Sequence, residues 1–148
     1  MNNLNEQLIF ACEAGHIEVV KSLLNVGVDI HADSDDALTV SSNKGHIEIV
    51  KLLLDAGANV HTQDDIPLSL ASGYGHVEVV KLLLNAGADV HARNNYALRW
   101  SSMNGYPEVV KVLLDAGADR YTNDNEALRW ASGNRHNEVV KVLKEYKK

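Results

Sequence analysis

Gly75-His76-Val77-Glu78-Val79-Val80-Lys81-Leu82-Leu83-Leu84-Asn85-Ala86-Gly87-Ala88-Asp89 is written five times along this chain, each time slightly altered. The other copies open as Gly15-His-Ile-Glu-Val-Val-Lys, Gly45-His-Ile-Glu-Ile-Val-Lys, Gly105-Tyr-Pro-Glu-Val-Val-Lys and Arg135-His-Asn-Glu-Val-Val-Lys. The spacing is 30 residues throughout, which divides the 148 residues into units of roughly 1–30, 31–60, 61–90, 91–120 and 121–148. A fixed period of this length marks a stacked array, in which each unit buries its apolar face only against its neighbours. One domain spanning 1–148 is the expected organisation.

The quoted stretch reads as a helix starting near Ile17, Ile47, Val77, Pro107 or Asn137. Apolar residues at 47, 49, 50, 52, 53 and 54 cover more than half its circumference, so it is flanked on both sides. Glu48 and Lys51, with their counterparts in every unit, fall three apart on the remaining exposed strip, where they can pair weakly. Pro107 suits a first helical turn, where its missing N–H has no partner to lose. Gly57, Gly87 and Gly117 supply the left-handed residue that ends the helix.

A second, shorter helix precedes each of these, as in Tyr96-Ala-Leu-Arg-Trp-Ser-Ser-Met-Asn. Asn5, Asp35, Asp65, Asn95 and Asn125 stand just before it in one register and read as N-caps, whose side chains accept the first free backbone N–H groups. Small residues recur at Ala11, Ser41/Ser42, Ala71/Ser72, Ser101/Ser102 and Ala131/Ser132 and mark a face of close inter-unit packing. Phe10, Val40, Leu70, Trp100 and Trp130 share a register that is apolar throughout; core packing is the first reading for the two tryptophans, a ring on the concave face the second.

Composition agrees with an interior of aliphatic residues: 45 % of the chain is hydrophobic but only 5 % aromatic. No apolar run approaches the ~20 residues that span a bilayer, and the polar start Met-Asn-Asn-Leu-Asn-Glu-Gln lacks the features of a secretory signal. Cys12 is the only cysteine, so no intrachain disulfide can form. An intracellular, cytoplasmic protein is expected. With net charge −6 and lysines dispersed one or two per unit, the chain lacks the basic stripe that nucleic-acid binding needs.

Gly-His-x-Glu-Val-Val-Lys-Leu-Leu-Leu-x-x-Gly-Ala-Asp, matched nearly in full at 45–59 and 75–89, closely resembles the second-helix signature of ankyrin repeats, and the resemblance extends over essentially the whole chain. It implies an all-α solenoid: five helix-turn-helix units in a curved stack, with hairpin-like loops projecting to one side. Binding in that family runs through those loops and the concave face of the first helices. Two features depart from the pattern. Ankyrin units run ~33 residues, and the three missing here fall in His31–Asp36, His61–Ile66, His91–Tyr96 and Tyr121–Glu126, which shortens the finger. The usual Thr-Pro-Leu-His opening is replaced by Asp36-Ala-Leu-Thr, Ile66-Pro-Leu-Ser, Tyr96-Ala-Leu-Arg and Glu126-Ala-Leu-Arg. A 30-residue unit with Ala-Leu-Arg-Trp-Ala-Ser is similar to arrays abundant in giant DNA viruses. Many viral ankyrin proteins carry a degradation-adaptor segment after the array, and the sequence to Lys148 has no room for one.

Chemistry finds no foothold in these patterns. Seven histidines fall into two registers, His16/46/76/136 and His31/61/91. Equivalent atoms of stacked units lie ~8–10 Å apart, too far for two ligands that must each reach ~2 Å from one zinc ion. Hydrogen bonding in the turn before each second helix is the expected role. The carboxylate pairs Asp35/Asp36 and Asp64/Asp65 lack a partner base, an oxyanion donor or a phosphate-binding loop. Cys12 stands in a packing register and reads as inert core. No catalytic residues, metal or cofactor are expected.

Residues that vary while their neighbours repeat are free of packing constraint, and they define the expected contact surface. At its centre stand Ile66, Tyr74, Arg93, Tyr96, Arg99 and Met103, on units three and four; Tyr and Arg are enriched at interface hot spots. Asp33, Asp35, Asp36, Asp64 and Asp65 form an acidic flank expected to favour a basic segment. The function that follows is protein–protein interaction by a monomer, with a self-associating array and an engineered consensus scaffold as the alternatives. The ends are expected to act as caps: Asn2, Asn3, Asn5, Glu6, Gln7 and Glu13 make the first helix polar, and Lys144, Glu145, Lys147 and Lys148 interrupt the leucine run at the other end.

Overall fold

A computed structural model describes residues 3–147. Its ten helices are α1 (Leu4–Ala14), α2 (Ile17–Asn25), α3 (Ala32–Lys44), α4 (Ile47–Asp55), α5 (Thr62–Gly73), α6 (Val77–Asn85), α7 (Ala92–Asn104), α8 (Pro107–Asp115), α9 (Thr122–Gly133) and α10 (Asn137–Glu145). They form five antiparallel pairs, and no strand occurs among the described residues. The even-numbered helices begin where the apolar pattern places them, and Gly27, Gly57, Gly87 and Gly117, all with positive φ, follow their ends. Glu18–Lys21 and Glu78–Lys81 pair at 2.9 Å on the exposed strip.

One core runs the length of the stack. Leu8, Leu38, Leu68 and Leu98 enter it from the odd helices, and Val20, Val50, Val80, Val110, Leu53, Leu83 and Leu113 from the even ones. Ala11, Ser41, Ser42, Ala71, Ser72, Ser101 and Ser102 are fully buried between successive odd helices. Their small side chains let that layer pack more extensively than the even layer. The stack therefore curves, with the odd helices on its concave side.

The connections differ from the sequence reading. Asp33-Ser34-Asp35, Gln63-Asp64-Asp65, Arg93-Asn94-Asn95 and Asn123-Asp124-Asn125 each form one left-handed turn, with every φ between 49° and 61°. The right-handed helix proper begins only after it, at Asp36, Ile66, Tyr96 and Glu126. Pro67 thus lies in a first right-handed turn and breaks no ladder. This turn is what replaces the longer finger. An L-residue loses roughly 1–2 kcal/mol in the left-handed region, least for Asn and Asp, and these dominate the twelve positions.

Asp35, Asp65, Asn95 and Asn125 are accordingly not N-caps: a cap needs extended backbone, and theirs is left-handed. Three of the side chains join neighbouring loops instead. Asp35 Oδ1 accepts the Asn59 N–H at 2.9 Å, Asp65 Oδ1 the Asp89 N–H at 2.8 Å, and Asn95 Oδ1 the Asp119 N–H at 2.8 Å. Asn5 lies inside α1, whose cap is Asn3, accepting from the Asn5 N–H at 3.0 Å.

A second joint recurs at the other end of the odd helices. Gly15, Gly45, Gly75 and Gly105 take positive φ and leave the space into which the ring of His46, His76, Tyr106 or His136 from the next unit fits. The histidines then reach a carbonyl 33 residues back: His46 Nε2 lies 3.1 Å from Glu13 O, His76 Nε2 2.9 Å from Asn43 O, and His136 Nε2 2.9 Å from Met103 O. The bond expected within a turn is thus a bond between units. In the other register, His31 and His61 Nδ1 lie 3.0 Å and 3.2 Å from the carboxylates of Asp35 and Asp65.

The two ends of the stack are unequal. At the far end Arg120 Nη1 donates to Leu143 O at 2.7 Å and Tyr146 O at 3.0 Å, closing α10, while the Tyr146 hydroxyl donates to Asp115 Oδ1 at 2.8 Å. The first unit is a poorer cap than expected. Asn3, Glu6 and Glu13 are exposed and Asn5 and Gln7 half-buried, but Leu4, Phe10 (66 %) and Val19 (46 %) are exposed as well. Asn2 and Lys148, expected to contribute to the ends, lie outside the described residues.

Candidate partner-binding surface

The concave layer carries one continuous group of rings. Tyr96 opens the right-handed part of α7, Trp100 follows one turn later, and Tyr74 ends α5 beside it. Trp100 lies 5.6 Å from Tyr96 and 5.4 Å from Tyr74 between ring centroids, the second pair edge-on. Both distances fall in the range where aromatic pairs reinforce each other. Tyr74 is half exposed, and Tyr96 and Trp100 are partly exposed. With Ile66, Ser69, Leu70 and Arg93 the Tyr96–Trp100 pair lines a concavity of about 390 Å³.

Trp100 and Trp130 are therefore partly exposed rings and not core residues, because their register faces the hollow of the curved stack. Trp100 holds its place by lying over Gly73, where any side chain would collide with the indole. Three of the other odd helices carry Glu13, Asn43 and Met103 at that register, and the last carries Gly133. A glycine 27 residues before a tryptophan was the legible sign of this contact.

Of the residues selected from sequence, Ile66, Tyr74, Tyr96 and Arg93 gather around this concavity. Arg93 is partly committed, donating from Nη2 to Gln63 O at 3.0 Å with Nε 3.7 Å from Asp64 Oδ2. Met103 is half-buried near the end of α7. Arg99 is engaged within the chain: its side chain is only 13 % exposed and pairs with Glu126. It donates to the carbonyls of Arg93 and Asn94 at 3.3 Å and lies over the rings of Tyr96 and Trp130 at 5.5 Å and 5.4 Å. Arg129 braces the next turn in the same way, through Asp124 O and Asn123 O. Arg99 thus fixes the ring surface without offering a free guanidinium.

The acidic flank shrinks in the same way. Asp35 and Asp65 are buried in the loop joints and leave the surface. Asp33 and Asp64 are exposed, and Asp36 is half-buried, accepting from Gln63 Nε2 at 3.3 Å.

Burial pushes the Cys12 thiol up to about 12, away from the thiolate form. Desolvation pushes the Glu126 carboxyl up, but hydrogen bonds from Asn123 and Arg99 and the charge of Arg99 outweigh it, leaving Glu126 below the usual carboxylate range. Among the described residues no three His, Cys, Asp or Glu side chains converge as metal ligands, and no helix is long and apolar enough to cross a membrane.

Paired helices stacked on one core, with rigid short connections and a ring surface in the hollow, define a helical repeat protein of the solenoid class. Models of ankyrin repeats (3 copies) match residues 8–94 and 68–148, and the chain belongs to the ankyrin repeat family. No curated protein matches it. Ankyrin repeats are generally protein–protein interaction modules, and the family is typically non-enzymatic.

Proposed function

We propose that this chain binds a partner protein on its concave face, at the ring surface of Tyr74, Tyr96 and Trp100 with Ile66 beside it. The observation that carries this is the exposure of Tyr74 and Tyr96, both packed on a partly exposed Trp100 beside a concavity, held by Gly73 beneath and Arg99 alongside. Rings fixed in this way bury large area on binding with little further loss of side-chain entropy. Asp33, Asp36 and Asp64 border the surface and favour a basic segment of the partner. The left-handed turns are too short to reach out, so the helices supply the contacts. The protein acts as a monomer, without catalysis, and takes neither nucleic acid nor membrane. The likeness of its 30-residue unit to arrays of giant DNA viruses supports a working site in the cytoplasm of an infected cell.

Affinity capture from that cell, with the partner identified by mass spectrometry, supplies the ligand for the test. Tyr74→Ala with Tyr96→Ala then weakens binding by at least ~2 kcal/mol, the scale of hot-spot truncation. Neutralising Asp33, Asp36 and Asp64 lowers the on-rate and its salt dependence, with little change in off-rate. Full affinity in the double tyrosine variant, with the fold intact, overturns the assignment.

A further inference from the structure

Inside the chain every junction between units repeats one device, a ring from the later unit seated over a glycine of the earlier one. The first unit holds that ring with no glycine seat among the described residues. His16 occupies the place of His46, His76 and His136, yet it is exposed and its ring makes no hydrogen bond among the described residues. Val19 tells the same story. Its counterparts Ile49, Val79, Val109 and Val139 are at most 2 % exposed, whereas Val19 is 46 % exposed. Phe10, the counterpart of Trp100, stands free beside His16, its ring centroid 6.3 Å away. This open face continues the geometry of four interfaces already built in the chain.

The opposite end is nearly, but not fully, its complement. Gly133, the counterpart of the Gly73 that receives Trp100, has open space above it and could receive Phe10 of a second copy. The next residue that matters is Arg135, which stands where the other units have Gly15, Gly45, Gly75 and Gly105. A Cβ on Gly105 would lie 2.5 Å from His136 Nδ1. Arg135 puts a whole side chain in that position, at φ 61°, and so occupies the seat that His16 of a second copy would need.

We propose that the first unit's face, formed by Phe10, His16 and Val19, docks an ankyrin-type helix pair of another chain that carries glycine at the place of Arg135, and that Arg135 bars copies of this chain from filling that role. The surface is separate from the concave ring cluster, and neither depends on the other. Self-association, an alternative left open by the sequence, is opposed by Arg135 at the ring seat of this junction.

Sedimentation velocity tests this with the protein as its own probe. The wild type stays monomeric up to about 1 mM, a range in which even weak association registers. Arg135→Gly, which also relieves a left-handed arginine, associates head to tail with rising concentration. Adding Phe10→Glu and Val19→Glu to that variant, at positions already exposed, restores the monomer. Mixed with wild type, the triple variant forms a one-to-one complex, since one supplies the glycine end and the other the open face. His16→Ala in the wild-type member weakens that complex roughly tenfold or more. Circular dichroism checks each fold. Three results overturn the proposal: a monomeric Arg135→Gly, a triple variant that still self-associates, or a wild type whose self-association is abolished by Phe10→Glu and Val19→Glu.

Discussion

Gly45 and His76 share one space: a Cβ on Gly45 would lie 2.5 Å from Nδ1 of the His76 ring, closer than side chains pack. The same glycine has φ 76°, so backbone and neighbour both demand it. The pair illustrates how the stack is held together by rigid contacts between units as well as by apolar burial.

Gly45→Ala removes both conditions at once. It is expected to cost about 2 kcal/mol or more, from the left-handed penalty of ~1–2 kcal/mol plus displacement of the ring. Urea unfolding measures this, and a double-mutant cycle with His76→Ala separates the parts: the ring contribution vanishes in the double variant and the backbone penalty stays.

Asp35 is buried and holds the Asn59 N–H at 2.9 Å. Asp35→Ala leaves that donor unpaired and costs about 1–3 kcal/mol. Asp35→Asn is nearly neutral, because Asn95 makes the same bond to Asp119 at 2.8 Å. If alanine and asparagine were equally damaging, the carbonyl-type oxygen would not be the feature that matters.

Ser42, Ser72 and Ser102 bury hydroxyls that have no partner among the described residues. Ser72→Ala removes an unsatisfied donor and adds helix propensity, so it raises stability by about 1 kcal/mol. Ser41→Ala is the contrasting case, since its hydroxyl donates to Ala37 O at 2.7 Å. Thermal unfolding of the two variants is expected to shift in opposite directions, or to leave Ser41→Ala unchanged.

The Arg99–Glu126 pair carries a pH signature. Glu126 titrates lower in the folded chain than its ordinary value of 4.5. Its contribution is therefore fully present above that ordinary value and is lost as pH falls through the lowered folded value. Glu126→Gln lacks this term, so the difference in melting temperature between wild type and variant is constant near neutrality and narrows in acid. A difference that widens in acid would reverse the sign of the linkage.

The helices were legible because their apolar residues recur in phase five times, and the even-numbered ones begin at the residues expected. The turns were misread because Asp and Asn serve two ends: they cap helices, and they tolerate the left-handed region. At Asp35 or Asn95 only the backbone angle decides between these, and no spacing in the sequence encodes it. The ring surface was half legible. Tyr74 and Tyr96 stood out as variable positions, but Trp100 was hidden within an apolar register whose outward direction depends on the curvature of the stack. Arg99 looked like a contact residue because variability does not distinguish a free guanidinium from one bound to Glu126 and the backbone.

The left-handed turns also bear on how such a chain can change over time. Each turn is tied to the next by a side chain that reaches a backbone N–H 24 residues along, from Asp35 to Asn59, Asp65 to Asp89 and Asn95 to Asp119. A residue inserted into one loop would shift the joints on both of its sides. Ordinary repeat loops vary in length to create new binding shapes; here that route is closed. The array can diversify by substitution on its concave helices, or grow by duplicating whole 30-residue units. The regularity of its period is thus a mechanical constraint written into descent.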